Sequence, residues 1–194
     1  MIQQNIYMGN EGRKKLLNGV KKLANAVSST LGPGGRNVIY RMGNATYITK
    51  DGVTVARHVN PPDVLEKMGA DIIRQASEQS AHQAGDGTST SAILTEAIAS
   101  EGMKLIETGY NPISVQRGVI SAAKTIANYI KENIKQECSP EQIHQIALVS
   151  TNWDKEIAHL VSEAVEKVGL DGSITINNSR SNESSSQFIA GLRV

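Results

Sequence analysis

The chain has 194 residues, 39% of them hydrophobic, enough to bury a core as one domain or two small ones. Lys and Arg total 20 against 19 Asp and Glu, and this net charge of +1 argues against nucleic acid or an anionic membrane surface as partner. Cys138 is the only cysteine, so no disulfide framework is expected, and His58, His82, His144 and His159 lack metal-ligand spacing. A reducing, cytoplasmic location is the expectation, since no stretch approaches a membrane span and the N-terminus shows no targeting pattern.

Residues 2–8 read as a short extended arm. Leu16, Val20, Leu23, Val27 and Leu31, with Leu17 and Ala24 beside them, recur at helical spacing and predict a first helix. It is expected to stop near Leu31, because Gly32-Pro33-Gly34-Gly35 cannot continue it. The basic residues Arg13 to Lys15, Lys21 and Lys22 read as its solvated face. The glycine-rich loop is either a plain terminator or a concavity whose N–H groups face phosphate. Val38-Ile39-Tyr40 and Thr46-Tyr47-Ile48-Thr49, separated by Met42-Gly43-Asn44, predict a β-hairpin. Its second arm ends in Lys50-Asp51-Gly52, which reads as a surface turn or as a carboxylate placed beside a metal or an attacking water. Val53, Val55 and Val59 are expected to continue as extended chain until Pro61-Pro62.

Leu65, Met68, Ile72, Ile73 and Ala76 predict a second amphipathic helix, which runs into Gly85-Asp86-Gly87-Thr88-Ser89-Thr90. In this hexapeptide two glycines flank a carboxylate and three hydroxyls lead into the next helix. The glycines allow close backbone approach, and the helix start offers N–H groups and a positive dipole end to an anion. Asp86 suits phosphate only through a hard cation such as Mg²⁺. An ordinary Asp-Gly turn followed by a helix cap is the competing reading. The GxxxxGK[ST] spacing of a P-loop is absent.

The third helix carries Ile93, Leu94, Ala97, Ile98 and Leu105. Asn111-Pro112 restarts a helix with a cap residue and then proline, and its stripe is Val115, Val119, Ala123, Ile126, Ile130 and Ile134. Ser139-Pro140-Glu141-Gln142 has the form of a capping box and opens a new module. A short helix to about Val149, a break at Ser150-Thr151-Asn152 and a helix with Ile157, Val161, Ala164, Val165 and Val168 follow, closed by Gly169. Asp171-Gly172 is read as a turn into a strand over Ser173-Ile174-Thr175-Ile176, and residues 177–186 as a polar loop before a last strand over 188–194.

Three signals occur in one order: Thr30-Leu31-Gly32-Pro33, Thr49-Lys50-Asp51-Gly52, and Gly85 to Thr90. Together with Gly35-Arg36-Asn37-Val38, Val53-Thr54-Val55-Ala56-Arg57, Asn111-Pro112 and Arg117-Gly118, the chain resembles the group I chaperonins, the GroEL type, over essentially its whole length. The resemblance implies a mainly α fold with small β-hairpins. Residues 1–134 would be the N-terminal half of a helical equatorial domain, 135–188 the ascending half of an α+β intermediate domain, and 189–194 the start of an apical domain. It implies ATP and Mg²⁺ as cofactors, with K⁺ as a further candidate. Thr30, Leu31, Gly32 and Pro33 would line the nucleotide, Lys50 would lie near the phosphates, and Asp86 would hold Mg²⁺. Gly87, Thr88, Ser89 and Thr90 would cradle phosphate, and Asp51 would act catalytically beside the γ-phosphate, placing the water or a metal.

The partners implied are unfolded polypeptides, a homo-oligomeric double ring with the 37–49 hairpin pairing to a neighbouring subunit, and a co-chaperonin. The host would be a bacterium, or an infected cell if the chain is viral. Gly34 stands where many members carry lysine, and Ser89 where they carry threonine. The apical domain, the returning helix with the family's catalytic aspartate and the C-terminal equatorial half would lie beyond Val194. Hydrolysis by this chain alone is therefore expected to be weak or absent, and apolar faces meant for the other half to be exposed. Two alternatives are a truncated or split chaperonin acting as a binding protein, and a small phosphotransferase, for which neither an acceptor pocket nor a general base is found.

Overall fold

The computed structural model describes residue 7 and residues 9–32, 34–151, 153–169, 172–179, 184–189 and 191. The arm at 2–8 lies outside them apart from Tyr7, as do Pro33, Asn152, Asp171 and most of the strand expected at 188–194. The chain is mainly helical, with two compact units, Met1–Thr125 and Ile126–Val194.

In the first unit, helix α1 (Gly9–Ser28) leads through a short turn to the antiparallel hairpin β1 (Val38–Met42) and β2 (Ala45–Thr49). The register pairs Val38 with Thr49 and Met42 with Ala45, so Gly43-Asn44 forms the two-residue turn and Met42 belongs to the strand. Helix α1 ends at Ser28, three residues before the expected stop, and Leu31 lies outside it, 49% exposed. Helices α3 (Val64–Ala84) and α4 (Thr88–Glu107) pack with α1 around Leu23, Val27, Ile73 and Ala92.

The extended segment expected after Asp51 is instead a helix, α2 (Gly52–His58). Asp51 caps it, its carboxylate accepting from the N–H groups of Val53 and Thr54. Val55 and Ala56 then fall together on the buried face, so valines that resemble a strand pattern serve a helical one. Arg74 of α3 holds the other end of α2, its guanidinium donating to the carbonyls of Ala56 at 3.0 Å and Val59 at 2.7 Å.

The buried face of α3 also differs from the expected stripe. Leu65, Gly69, Ala70, Ile73 and Ser77 are buried, whereas Met68 and Ile72 are about half exposed. The reason is a close crossing: a β-carbon on Gly19 of α1 would run into the Glu66 carbonyl of α3, and one on Gly69 into the Leu16 carbonyl of α1. Two of the basic residues on the solvated face, Lys15 and Lys22, stay about half exposed and also bridge these helices, Lys15 to Asp63 at 2.9 Å and Lys22 to Glu66 at 2.6 Å.

Helix α5 (Pro112–Asn133) starts as read, with the Asn111 side chain accepting from the Ile113 N–H at 2.9 Å, yet it buries no residue. In the second unit, α6 (Pro140–Ser150) begins with the complete Ser139–Gln142 capping box, and α7 (Lys155–Val168) is capped by Asp154 and ends at Gly169. No strand forms among the described residues of 173–179 and 184–189. Ile174, Ile176, Phe188 and Ile189 are 44 to 88% exposed there, and no partner strand for them lies among the described residues. No helix among the described residues is long and apolar enough to cross a membrane.

Candidate functional site

Helix α3 ends in Gly85, which takes the left-handed conformation (φ +72), and Gly87 takes it again (φ +82) immediately before α4. Only glycine adopts such backbone without strain, so the chain reverses within three residues. Gly87 is the N-cap of α4 and supplies no capping side chain. The first-turn N–H groups of α4 are left for an external acceptor, in the place where the helix dipole favours negative charge.

Three separate loops meet at this helix start. Gly52, buried at the beginning of α2, stands so close to Ser89 that a β-carbon would collide with its hydroxyl, and that β-carbon would lie 3.4 Å from Thr30 Oγ1. Thr30, at the end of the turn leaving α1, donates its hydroxyl to the Val27 carbonyl at 2.7 Å, which fixes its side chain beside Gly52. The contact therefore joins one residue from each of the three sequence signals.

The remaining residues of the three signals differ in exposure and bonding. Asp51 accepts from the Thr54 N–H at 2.8 Å and the Thr54 hydroxyl at 2.6 Å besides the longer Val53 bond. A carboxylate has about four lone-pair directions, so one stays open beyond these three bonds. Asp86 is exposed; its Oδ1 accepts from the Gly87 N–H at 2.6 Å, and its Oδ2 has no partner among the described residues. Thr88 is buried at 6%, Ser89 half-buried, and Thr90, Leu31, Gly32 and Lys50 exposed. Lys50 makes no hydrogen bond or ion pair among the described residues, and Pro33 lies outside them.

No group of three or more His, Cys, Asp or Glu side chains among the described residues could hold a metal by itself. The donor set fits Mg²⁺ in another way: this cation retains waters and takes one or two carboxylates together with phosphate oxygens. Asp86 Oδ2 beside an uncapped helix start matches that demand. Sequence reading missed Gly52 as the contact residue, and it missed the serines of α3 and α4 that tie the loop down. Ser77 Oγ donates to the Thr88 carbonyl, Ser80 Oγ to that of Asp86, and Ser91 Oγ to that of Ala76. Serine carries no hydropathy signal; the only hint was that positions 77 and 80 share a face leading to Gly85.

The sequence model of the TCP-1/cpn60 chaperonin family matches residues 23–194. The chain belongs to the chaperonin family. Among solved structures, this chaperonin chain is similar to the chaperonin gp146 from the bacteriophage EL 2 (Pseudomonas aeruginosa) in presence of ATP-BeFx. In crystal form II the identity is 28% and the TM-score 0.68, covering 80% of this chain and 28% of the phage protein. Crystal form I gives 26% identity and the same TM-score over 82% and 28% of the two chains. A group III chaperonin in the open state matches in fold, with a TM-score of 0.67 at 23% identity over 81% of this chain and 32% of the other. The chain thus spans about a third or less of the length of these chaperonins.

Proposed function

We propose that this chain is the nucleotide-binding N-terminal part of a group I chaperonin subunit, whose ATP-driven ring cycle assists the folding of other polypeptides. The observation that carries the reading is the meeting of Thr30, Gly52 and Ser89 at the uncapped start of α4. The phage relative, 28% identical, was crystallised with ATP-BeFx, which supports a nucleotide there. The Lys50-Asp51-Gly52-Val53 form followed by Val55-Ala56-Arg57 supports group I. Residues 1–134 would serve as equatorial half, 135–188 as ascending intermediate half and 189–194 as apical start, in a homo-oligomeric ring that meets unfolded polypeptide and a co-chaperonin in the cytoplasm.

In this reading the N–H groups and hydroxyls of Thr88, Ser89 and Thr90 bind phosphate oxygens, and the Thr30 to Pro33 turn covers the nucleotide. Lys50 offsets phosphate charge. Asp86 holds Mg²⁺ through its open oxygen; when bound, the ion neutralises charge on the phosphates, with K⁺ as an additional candidate. Asp51, already fixed as a cap, directs its remaining lone pair at the attacking water. That cap fixes the carboxylate without extra ordering cost at the moment of reaction.

Equilibrium titration of the purified chain with a fluorescent ATP analogue, with and without Mg²⁺, tests this. Wild type should bind with Mg²⁺ dependence, and Asp86→Ala should lose that dependence. Asp51→Asn, which still caps α2, should bind normally while lowering any hydrolysis about 10²-fold or more. Binding indifferent to Mg²⁺ and to Asp86 would remove the site as drawn.

A further inference from the structure

We infer that Ser77 and Ser80 of α3 are positioning residues of the nucleotide site, with separate duties: Ser80 aims the Asp86 carboxylate, and Ser77 aims the Ser89 N–H. The inference rests on the nucleotide reading above and adds how the loop is held before any ligand arrives.

Two peptide planes carry these duties. A peptide group is planar and trans, so fixing its C=O fixes the direction of the N–H on the next residue. The Asp86–Gly87 peptide is held at both ends: its C=O accepts from Ser80 Oγ at 3.1 Å, and its N–H donates to Asp86 Oδ1 at 2.6 Å. Ser80 thereby sets the plane whose N–H locks one carboxylate oxygen, leaving the other without a partner among the described residues. Gly87 leaves no slack, since a β-carbon there would lie 3.1 Å from Ser80 Oγ.

The Thr88–Ser89 peptide is held from the same helix face. Ser77, fully buried, donates to the Thr88 carbonyl at 3.1 Å, which orients the Ser89 N–H in the first turn of α4. A hydroxyl so buried costs free energy unless bonded, so this bond persists wherever α3 and α4 stay packed. Ser91 returns a bond from α4 to the Ala76 carbonyl at 3.3 Å, which fixes the register between the helices. Residues 77 and 80 are three apart and share one face, so a single turn of α3 controls both the metal side and the phosphate side of the loop.

The division of labour gives a signature that a plain packing role lacks. The same titration is run on the full chain for Ser80→Ala, Ser80→Thr and Ser77→Ala, with thermal unfolding as control. Ser80→Ala should raise the Mg²⁺ concentration for half-maximal binding about 3- to 10-fold, the factor lost with one hydrogen bond, and leave Mg²⁺-free affinity unchanged. Ser80→Thr, which keeps the hydroxyl, should restore the wild-type Mg²⁺ requirement. Ser77→Ala should weaken nucleotide affinity about 3- to 10-fold equally with and without Mg²⁺. Equal effects of the two alanine variants on both measurements, failure of threonine to rescue, or variants identical to a wild type that binds normally would overturn the inference alone. A wild type without Mg²⁺-dependent binding would overturn the nucleotide reading together with it.

Discussion

Asp63 shows how one side chain serves both a helix end and an interhelical contact. It caps α3, accepting from the Leu65 N–H at 2.9 Å and the Glu66 N–H at 3.2 Å, while its other oxygen receives Lys15 from α1. The bond from Lys15, then those from the Glu66 and Leu65 N–H groups, hold its carboxyl below the ordinary value, and the same bond holds Lys15 above its own. A carboxyl depressed by folding stabilises above the unfolded-chain value of about 3.9, and this contribution is lost as pH falls through the folded value. The raised ammonium contributes below about 10.4 and is lost as pH rises through its folded value. Asp63→Asn can still cap the helix but cannot pair with Lys15. Its melting temperature is therefore expected below wild type near neutral pH, with the gap closing as pH falls below about 3.9 and through the depressed folded value of the Asp63 carboxyl. A gap that persists unchanged into strong acid would show that charge has no part in it.

Among the elements, the α1–α3 crossing decides the architecture around the site, because α3 delivers the hexapeptide and α1 delivers Thr30. Its closeness depends on Gly19 and Gly69, each against a backbone carbonyl that no rotamer change can move. Gly19→Ala is expected to destabilise by about 1–3 kcal/mol or more, the range for overpacking a tight contact. Gly118→Ala in α5, where nothing lies within 4 Å, should stabilise by up to about 1 kcal/mol through helix propensity. Urea unfolding of both variants measures the difference; stabilisation by Gly19→Ala would mean the helices are not in contact there. This crossing also explains what the sequence could and could not disclose. Caps, proline and glycine gave both ends of α3, the starts of α5 and α6 and the end of α7, because such signals are local. The buried face of α3 was hidden, since Gly69 and Ser77 are buried for their size and Met68 and Ile72, although apolar, are exposed. Helix α2 was hidden because Val53, Val55 and Val59 favour strands in isolation, and only the Asp51 cap and the contact of Val55 and Ala56 with the core override them. Within the site, the three loops could be named from their residue types; that Gly52 is the point where they touch required the fold.

For the whole molecule, burial is unevenly spread. The unit Met1–Thr125 has a contiguous core around Leu23, Val27, Val55 and Ile73, whereas the buried hydrophobic residues described in Ile126–Val194 are Ala147 and Ala158. Helix α5 carries an apolar stripe at helical spacing, but Val119, Ile126 and Ile130 are 36 to 57% exposed and none of its residues is buried. Exposed apolar surface of this kind drives association when contiguous and large, at roughly 25 cal/mol per Å² removed from water. The isolated chain is therefore expected to self-associate through α5 with other copies. Light scattering behind a sizing column should give a native mass above 20.8 kDa that rises with concentration. The double substitution Ile126→Glu, Ile130→Glu should bring the mass to that of one chain without lowering the melting temperature, because neither side chain contributes to a core. Association that survives both charges would place the sticky surface elsewhere, for example at the exposed Met68 and Ile72 of α3. A fall in melting temperature with the double variant would instead mean that α5 is packed in solution, and that its stripe is already covered within the chain.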